Sequence, residues 1–185
     1  CDRRQRQMCI RDSGHTYKLN DTSFPTVDWS DPYKLTDREQ EIIQKLTDSF
    51  VNSDKLQRHI KFLYGKGSMY LVYNSNLLYH GCVPLNKDGS LREVKIGKIS
   101  YRGKELLDRY DRIARDAYFF KPNSPAKRYA MDMMWYMWCG EDSPMFGKTR
   151  MTTFERYFID DKEAHYEPKN YYYQYRDNEQ VCKNR

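Results

Sequence analysis

Leu77-Leu78-Tyr79-His80-Gly81-Cys82-Val83-Pro84 changes character in its middle. Its first three residues are apolar or aromatic and favour a strand, whereas Gly81 and Pro84 break regular structure. An imidazole is thereby presented at the rim of a sheet with a glycine directly behind it. A missing side chain lets backbone approach an ion or a phosphate closely, and neutral imidazole binds divalent transition metals. The commoner use of such a histidine is to hold a neighbouring carbonyl through a ring nitrogen, and the spacing supplies no second ligand nearby.

Upstream, Ser68 to Tyr73 is also rich in strand formers, and Asn74-Ser75-Asn76 separates it from Leu77 to Tyr79, so a hairpin is predicted. Further back the period becomes helical. Thr36-Asp37-Arg38-Glu39 has the spacing of a capping box, in which hydroxyl and carboxylate satisfy each other's orphan amides. Ile42, Ile43, Leu46 and Phe50 then make one apolar stripe. Asn52-Ser53-Asp54 restarts a second helix with Leu56, Ile60 and Leu63 expected inward, ended by Gly65 and Gly67. Residues 14–35 are turn-rich and read as a connector with at most one short strand.

Downstream, Asn86-Lys87-Asp88-Gly89 reads as a turn and Glu93 to Ile96 as a further short strand. After Gly103, Leu106, Leu107, Tyr110, Ile113, Ala114 and Ala117 recur at helical spacing up to Lys121-Pro122. Ser124-Pro125 opens another helix, with serine as N-cap and proline at the first helical position. Its Met131, Met133, Met134, Trp135, Met137 and Trp138 read as core, because thioethers fill irregular gaps. Beyond Gly140 the chain loosens into turns and a tail of alternating charge and tyrosine.

The 185 residues carry 32 basic and 26 acidic groups, a net charge of +6. Residues 1–13, containing Arg3-Arg4-Gln5-Arg6-Gln7-Met8-Cys9-Ile10-Arg11-Asp12-Ser13, resemble an in-frame translation of a sequencing adapter and are set aside as a scar. That leaves 28 basic against 24 acidic groups, or +4, too mild to argue for DNA binding. Cys82, Cys139 and Cys182 then remain, widely spaced and without a C-x-x-C pair. This is neither a disulfide framework nor a zinc ribbon, and a reducing cytosol is the expected compartment. No stretch reaches the apolar length of a membrane span.

Other chemistry-bearing residues are few. His15 adjoins the scar, His59 reads as a solvated helix residue and His165 as a loop residue. Gly147-Lys148-Thr149-Arg150 has the ingredients of a phosphate contact, although it lacks the upstream glycine of a P-loop and also reads as a solvated loop. Arg156 could pair with Glu155 or a neighbour. There is no nucleophile elbow, zincin helix or dinucleotide fingerprint.

At His80-Gly81-Cys82-Val83-Pro84 the sequence resembles the H-G-x-x-P element of calcineurin-like metallophosphoesterases. Leu56-Gln57-Arg58-His59 through Lys66-Gly67-Ser68-Met69-Tyr70, Met134-Trp135-Tyr136 with Trp138, and Met151-Thr152-Thr153-Phe154-Glu155-Arg156-Tyr157-Phe158 are similar to the bacterial class III fructose-1,6-bisphosphatases. The similarity runs from about His15 to the C-terminus, and residues 36–185 correspond to the central part of one catalytic region.

The resemblance implies an α/β fold, here a fragment of a metallophosphoesterase-type β-sandwich flanked by helices. It implies a parent enzyme, cytoplasmic, that hydrolyses fructose 1,6-bisphosphate to fructose 6-phosphate and phosphate in gluconeogenesis with Mn2+, two divalent ions in the complete enzyme. His80 would bind one metal, with Gly81 allowing backbone approach. Lys148, Arg150 and Arg156 would contact substrate phosphate, where a guanidinium fork matches phosphate geometry. The catalytic residues and remaining ligands, in the family's G-D-x-x-D-R-G, G-N-H-D and G-H-T-P loops, are expected outside this chain, so the fragment alone is expected to be inactive. The expected partner is a small sugar bisphosphate, with neither nucleic acid nor membrane. Two rivals remain: a phosphoprotein phosphatase of the same superfamily, and a non-catalytic module stacking single-stranded nucleic acid on Tyr171 to Tyr175. Missing flanking strands would leave edges and apolar faces exposed, so aggregation is expected.

Overall fold

The computed structural model describes the backbone of residues 9–12 and all of residues 15–183. Helices and small sheets are mixed, and the chain divides into two compact units: residues up to Ile60 together with Thr152–Tyr166, and Lys61–Met151 with the segment from Glu167 onward.

In the first unit, β1 (Cys9–Asp12) pairs antiparallel with β2 (His15–Lys18). The ladder therefore includes residues assigned to the scar, most of which lies outside the described residues. The turn-rich stretch after β2 packs rather than merely connecting. Leu19 is buried with Ile159 and Ala164, Phe24 flanks them beside the stacked Phe154 and Phe158, and Asn20 donates its backbone N–H to the Phe158 carbonyl. Helix α1 (Asp37–Val51) starts with the expected box: the Thr36 hydroxyl accepts from the Glu39 amide, and the Glu39 carboxylate accepts from the Thr36 amide. Its apolar stripe is half-exposed, with no buried residue on the helix. Helix α2 (Asp54–Lys66) runs on through Gly65 instead of ending there, and its Leu63 is exposed, contrary to the inward placement expected. Gly65 is tolerated because a helix interior asks no special φ of it; the stop comes at Gly67, whose N–H closes onto the Leu63 carbonyl.

The second unit is built around two helices and two hairpins. Strand β3 (Tyr70–Tyr73) pairs with β4 (Asn76–Tyr79), register Leu71 opposite Leu78 and Val72 opposite Leu77. Asn74 and Ser75 both take positive φ, as a two-residue hairpin turn twisting with its strands requires. The second ladder, β5 (Val94–Ile96) with β6 (Ile99–Tyr101), turns at Gly97; its β6 half was not legible as a strand. Helix α3 (Gly103–Phe119) lays Leu106, Tyr110 and Ile113 against Val94 and Ile96 of β5 and against Ala130 and Met137 of α4 (Pro125–Cys139). Each such side chain contributes about 1.5–3 kcal/mol of burial. Ser124 caps α4 from the Lys127 amide, with Pro125 at the first position.

Helix α4 corrects one expectation. Met137 is buried and Met133 and Met134 half-buried, but Trp135 is 68% exposed and Trp138 62%. One face of a helix can meet α3; positions 135 and 138 lie on the other. Short segments complete the fold: α5 (Thr153–Phe158) and the 3-10 turn Lys162–His165 in the first unit, α6 (Tyr172–Tyr175) and α7 (Glu179–Lys183) in the second. The sheets among the described residues are three two-stranded antiparallel ladders, with no stacked sandwich.

Candidate functional site

His80 stands where β4 gives out, exposed, and makes no hydrogen bond among the described residues. Immediately after it, Cys82 to Leu85 form the most deeply buried stretch of the second unit. The Cys82 N–H donates to the Pro144 carbonyl at 2.8 Å, and the Leu85 N–H to Asn170 Oδ1 at 3.0 Å. Asn170 is itself buried and donates its own N–H to the Gly147 carbonyl, so one asparagine ties the strand exit to the loop after α4. Ser143, buried at the head of that loop, donates its hydroxyl to the Met137 carbonyl.

Gly81 is required here by space. A Cβ at this position would lie 2.2 Å from the Pro144 carbonyl oxygen and 2.8 Å from that of Met145. The backbone admitted by the missing side chain is thus the chain's own loop. Burial, then the nearby Asp142 charge, push the Cys82 thiol up to about 12, so it stays protonated and inert at neutral pH.

Beside His80 opens a cavity of about 680 Å³ between the end of α2, the β3–β4 hairpin, α3 and α4. Its walls are mainly apolar, with Met69, Met134, Met137 and Met145 among them. Arg115 braces this region. Its guanidinium donates to the carbonyls of Tyr64 and Gly67, the latter at 2.6 Å, and pairs with Asp111 at 2.8 Å. Asp111 in turn accepts the Met69 N–H. Two residues four apart on α3 therefore hold the link that leads into the hairpin. Their spacing is a readable helical pair, but their carbonyl partners, some fifty residues away, leave no mark in the sequence.

Lys148 lies in a loop bridged to Lys169, with its ammonium 2.5 Å from Glu167. Gly147 before it is buried at positive φ, covered by Tyr173, and serves as a turn. Arg150 comes next but one, half-buried. Arg156 belongs to the other unit, where it donates to the Thr152 hydroxyl and the His165 carbonyl. His165 caps α5 by giving Nε2–H to the Ile159 carbonyl at 2.7 Å, and so has a structural role that reading it as a loop residue missed. His15 lies beside Tyr17 on β2, and His59 is exposed on α2. The tyrosines of 171–175 are engaged in packing: Tyr172 meets the Tyr79 hydroxyl and Tyr175 donates to the Lys87 carbonyl, which leaves little of a stacking platform. Among the described residues no three His, Cys, Asp or Glu side chains cluster to hold a metal ion. No described helix is long and apolar enough to cross a membrane.

A family model described as firmicute fructose-1,6-bisphosphatase matches residues 3–184. The chain belongs to that family. The match begins within the stretch read as an adapter scar. A fructose-1,6-bisphosphatase class 3 of Clostridium novyi is 68% identical over 171 residues, 92% of this chain and 26% of that protein. One of Clostridium botulinum strain 657 is 64% identical over 166 residues, 90% of this chain and 25% of that protein. The chain thus spans about a quarter of the length of the family members it matches. No solved structure matches it.

Proposed function

We propose that this chain is a segment of a class 3 fructose-1,6-bisphosphatase whose complete polypeptide hydrolyses fructose 1,6-bisphosphate to fructose 6-phosphate and phosphate. The observation that carries the reading is the 68% identity, sustained across 92% of the chain, to a protein of that name. Gluconeogenesis, a cytoplasmic location and a metallophosphoesterase-type β-sandwich belong to the same proposal.

His80 is placed as one ligand of a manganese centre in the complete polypeptide. Its exposure at a strand end and its lack of a hydrogen bond suit an imidazole awaiting partners. The described residues do not by themselves fit a metal: they hold no cluster of three donors, so no step through an ion is assigned to this chain. Lys148, Arg150 and Arg156 remain proposed phosphate contacts. Lys148 would have to exchange Glu167 for phosphate, and Arg156 the His165 carbonyl, so any such contact costs an existing one.

Phosphate release from fructose 1,6-bisphosphate in the presence of manganese tests the proposal. Turnover is expected from the complete polypeptide, with loss on His80→Ala, and none from the 185-residue chain. Turnover by the short chain, or an unchanged rate in the His80→Ala polypeptide, would overturn it.

A further inference from the structure

Among the described residues His80 has no hydrogen-bond partner, so the chain on either side of it sets where its imidazole stands. The hairpin secures neither side. Tyr79 opposite Tyr70 is the last pair of the ladder at its open end, where a two-stranded pairing frays first. Both sides are held instead from one distant turn. Before His80, the Tyr79 hydroxyl donates to the Tyr172 hydroxyl at 2.7 Å, with the two rings edge to face at 6.0 Å. After it, the Leu85 N–H donates to Asn170 Oδ1 at 3.0 Å. The same oxygen accepts the Tyr172 N–H at 2.9 Å, which fills both of its lone pairs and locks the turn that carries the tyrosine. Asn170 is buried, so little water reaches these bonds to replace them. The backbone of this turn also holds the loop of Lys148: the Asn170 N–H donates to the Gly147 carbonyl at 3.0 Å and the Thr149 N–H to the Pro168 carbonyl at 2.9 Å.

We infer that Asn170 and Tyr172 are positioning residues of the hydrolytic site: together they clamp the chain on both sides of His80 and aim its imidazole, without themselves touching substrate. The inference rests on the placing of His80 and Lys148 in that site. Asn170→Ala deletes the acceptor shared by Leu85 and Tyr172, and Tyr172→Phe deletes the oxygen that anchors Tyr79 while leaving its ring in place. Asn170→Asp keeps the acceptor oxygen, which alone makes the described side-chain bonds. Tyr175→Phe is the control: it releases the Lys87 carbonyl from the same C-terminal segment without touching either side of His80.

Steady-state phosphate release by the complete polypeptide, measured well below the melting temperature of each variant, is the test. Asn170→Ala and Tyr172→Phe should each lower kcat about fivefold or more with KM within about twofold of the parent, because the backbone bonds that hold the Lys148 loop survive both changes. Asn170→Asp should keep at least half of the parent kcat. So should Tyr175→Phe, even where its melt falls as far as that of Tyr172→Phe. A smaller loss in Tyr172→Phe, which stays readable if Asn170→Ala fails to fold, would overturn the inference, as would a loss confined to KM. A kcat below half in Asn170→Asp or in Tyr175→Phe would overturn it too, since the segment would then serve stability alone. His80→Ala separates the two readings. Loss there with full rates in Asn170→Ala and Tyr172→Phe refutes the clamp alone, whereas an unchanged rate there removes the site reading beneath it.

Discussion

Replacing Tyr110 by phenylalanine should stabilise this protein. The ring sits at the centre of the second unit's core, fully buried among Leu106, Ile113, Ala130 and Met137, and its hydroxyl finds no hydrogen-bond partner among the described residues. A buried hydroxyl without a partner costs about 1–3 kcal/mol relative to its hydrated state in the unfolded chain. Phenylalanine keeps the ring and its packing and removes only that oxygen, leaving a void smaller than a methyl group. The expected gain is about 1 kcal/mol, which for a chain of this size raises Tm by roughly 2–4 °C. Tyr110→Ala, which empties the whole site, should instead cost about 3–5 kcal/mol.

The pH dependence sharpens the test. Burial, followed by the neighbouring Tyr136, Asp142 and Tyr129, raises the Tyr110 pKa well above the ordinary tyrosine value. The folded state therefore keeps its proton where the unfolded chain has lost it, and stability falls as pH rises past about 10. Phenylalanine cannot ionise, so the advantage of the variant should widen between pH 7 and pH 11. Thermal melts followed by circular dichroism at both pH values measure this. A phenylalanine variant no more stable than the parent at pH 7 would mean that the hydroxyl is hydrogen-bonded after all, and an advantage that does not grow at pH 11 would mean that Tyr110 ionises as readily folded as unfolded; either result refutes the reasoning.

The same packing sets two more outcomes. Gly81→Ala should cost about 3 kcal/mol or more, because the new methyl would meet two backbone carbonyls rather than a side chain able to swing away; a melt within 1 °C of the parent would show that the 144–145 loop yields freely. Of the described thiols, exposed Cys182 should react with a disulfide reagent at pH 8 far faster than buried Cys82, whose thiol is held near 12; because that value is raised, its contribution to stability is lost as pH climbs from about 9 toward 12. Comparable labelling rates for the two would contradict the burial of Cys82.

Where local chemistry decides the outcome, the sequence was legible. The Thr36–Glu39 box, the Ser124-Pro125 start and the Asn74-Ser75 turn each depend on four or fewer adjacent residues, and all three form. The α3 stripe was readable too, because Leu106, Tyr110 and Ile113 repeat at the helical period. Less visible was how a stripe is used. Trp135 and Trp138 share a helix with buried Met137 yet face outward, and Leu63 does the same on α2, since periodicity shows that a face is apolar but not what stands opposite. For the candidate site, the strand-end position of His80 was legible, while the grouping of Lys148 and Arg150 apart from Arg156 was not.

By itself, then, the order of residues determined where the four long helices and the β3–β4 hairpin begin, which family the chain resembles, and that an imidazole would end a strand. Only the tertiary structure decided that Gly81 makes room for Pro144, that Arg115 reaches back to Tyr64 and Gly67, and that Lys148 faces Glu167. The reason is one of range. Caps, turns and periodicity are set by neighbours within a few bonds, whereas steric exclusion and carbonyl capture join groups roughly twenty to sixty residues apart, and no local pattern encodes which distant backbone will arrive.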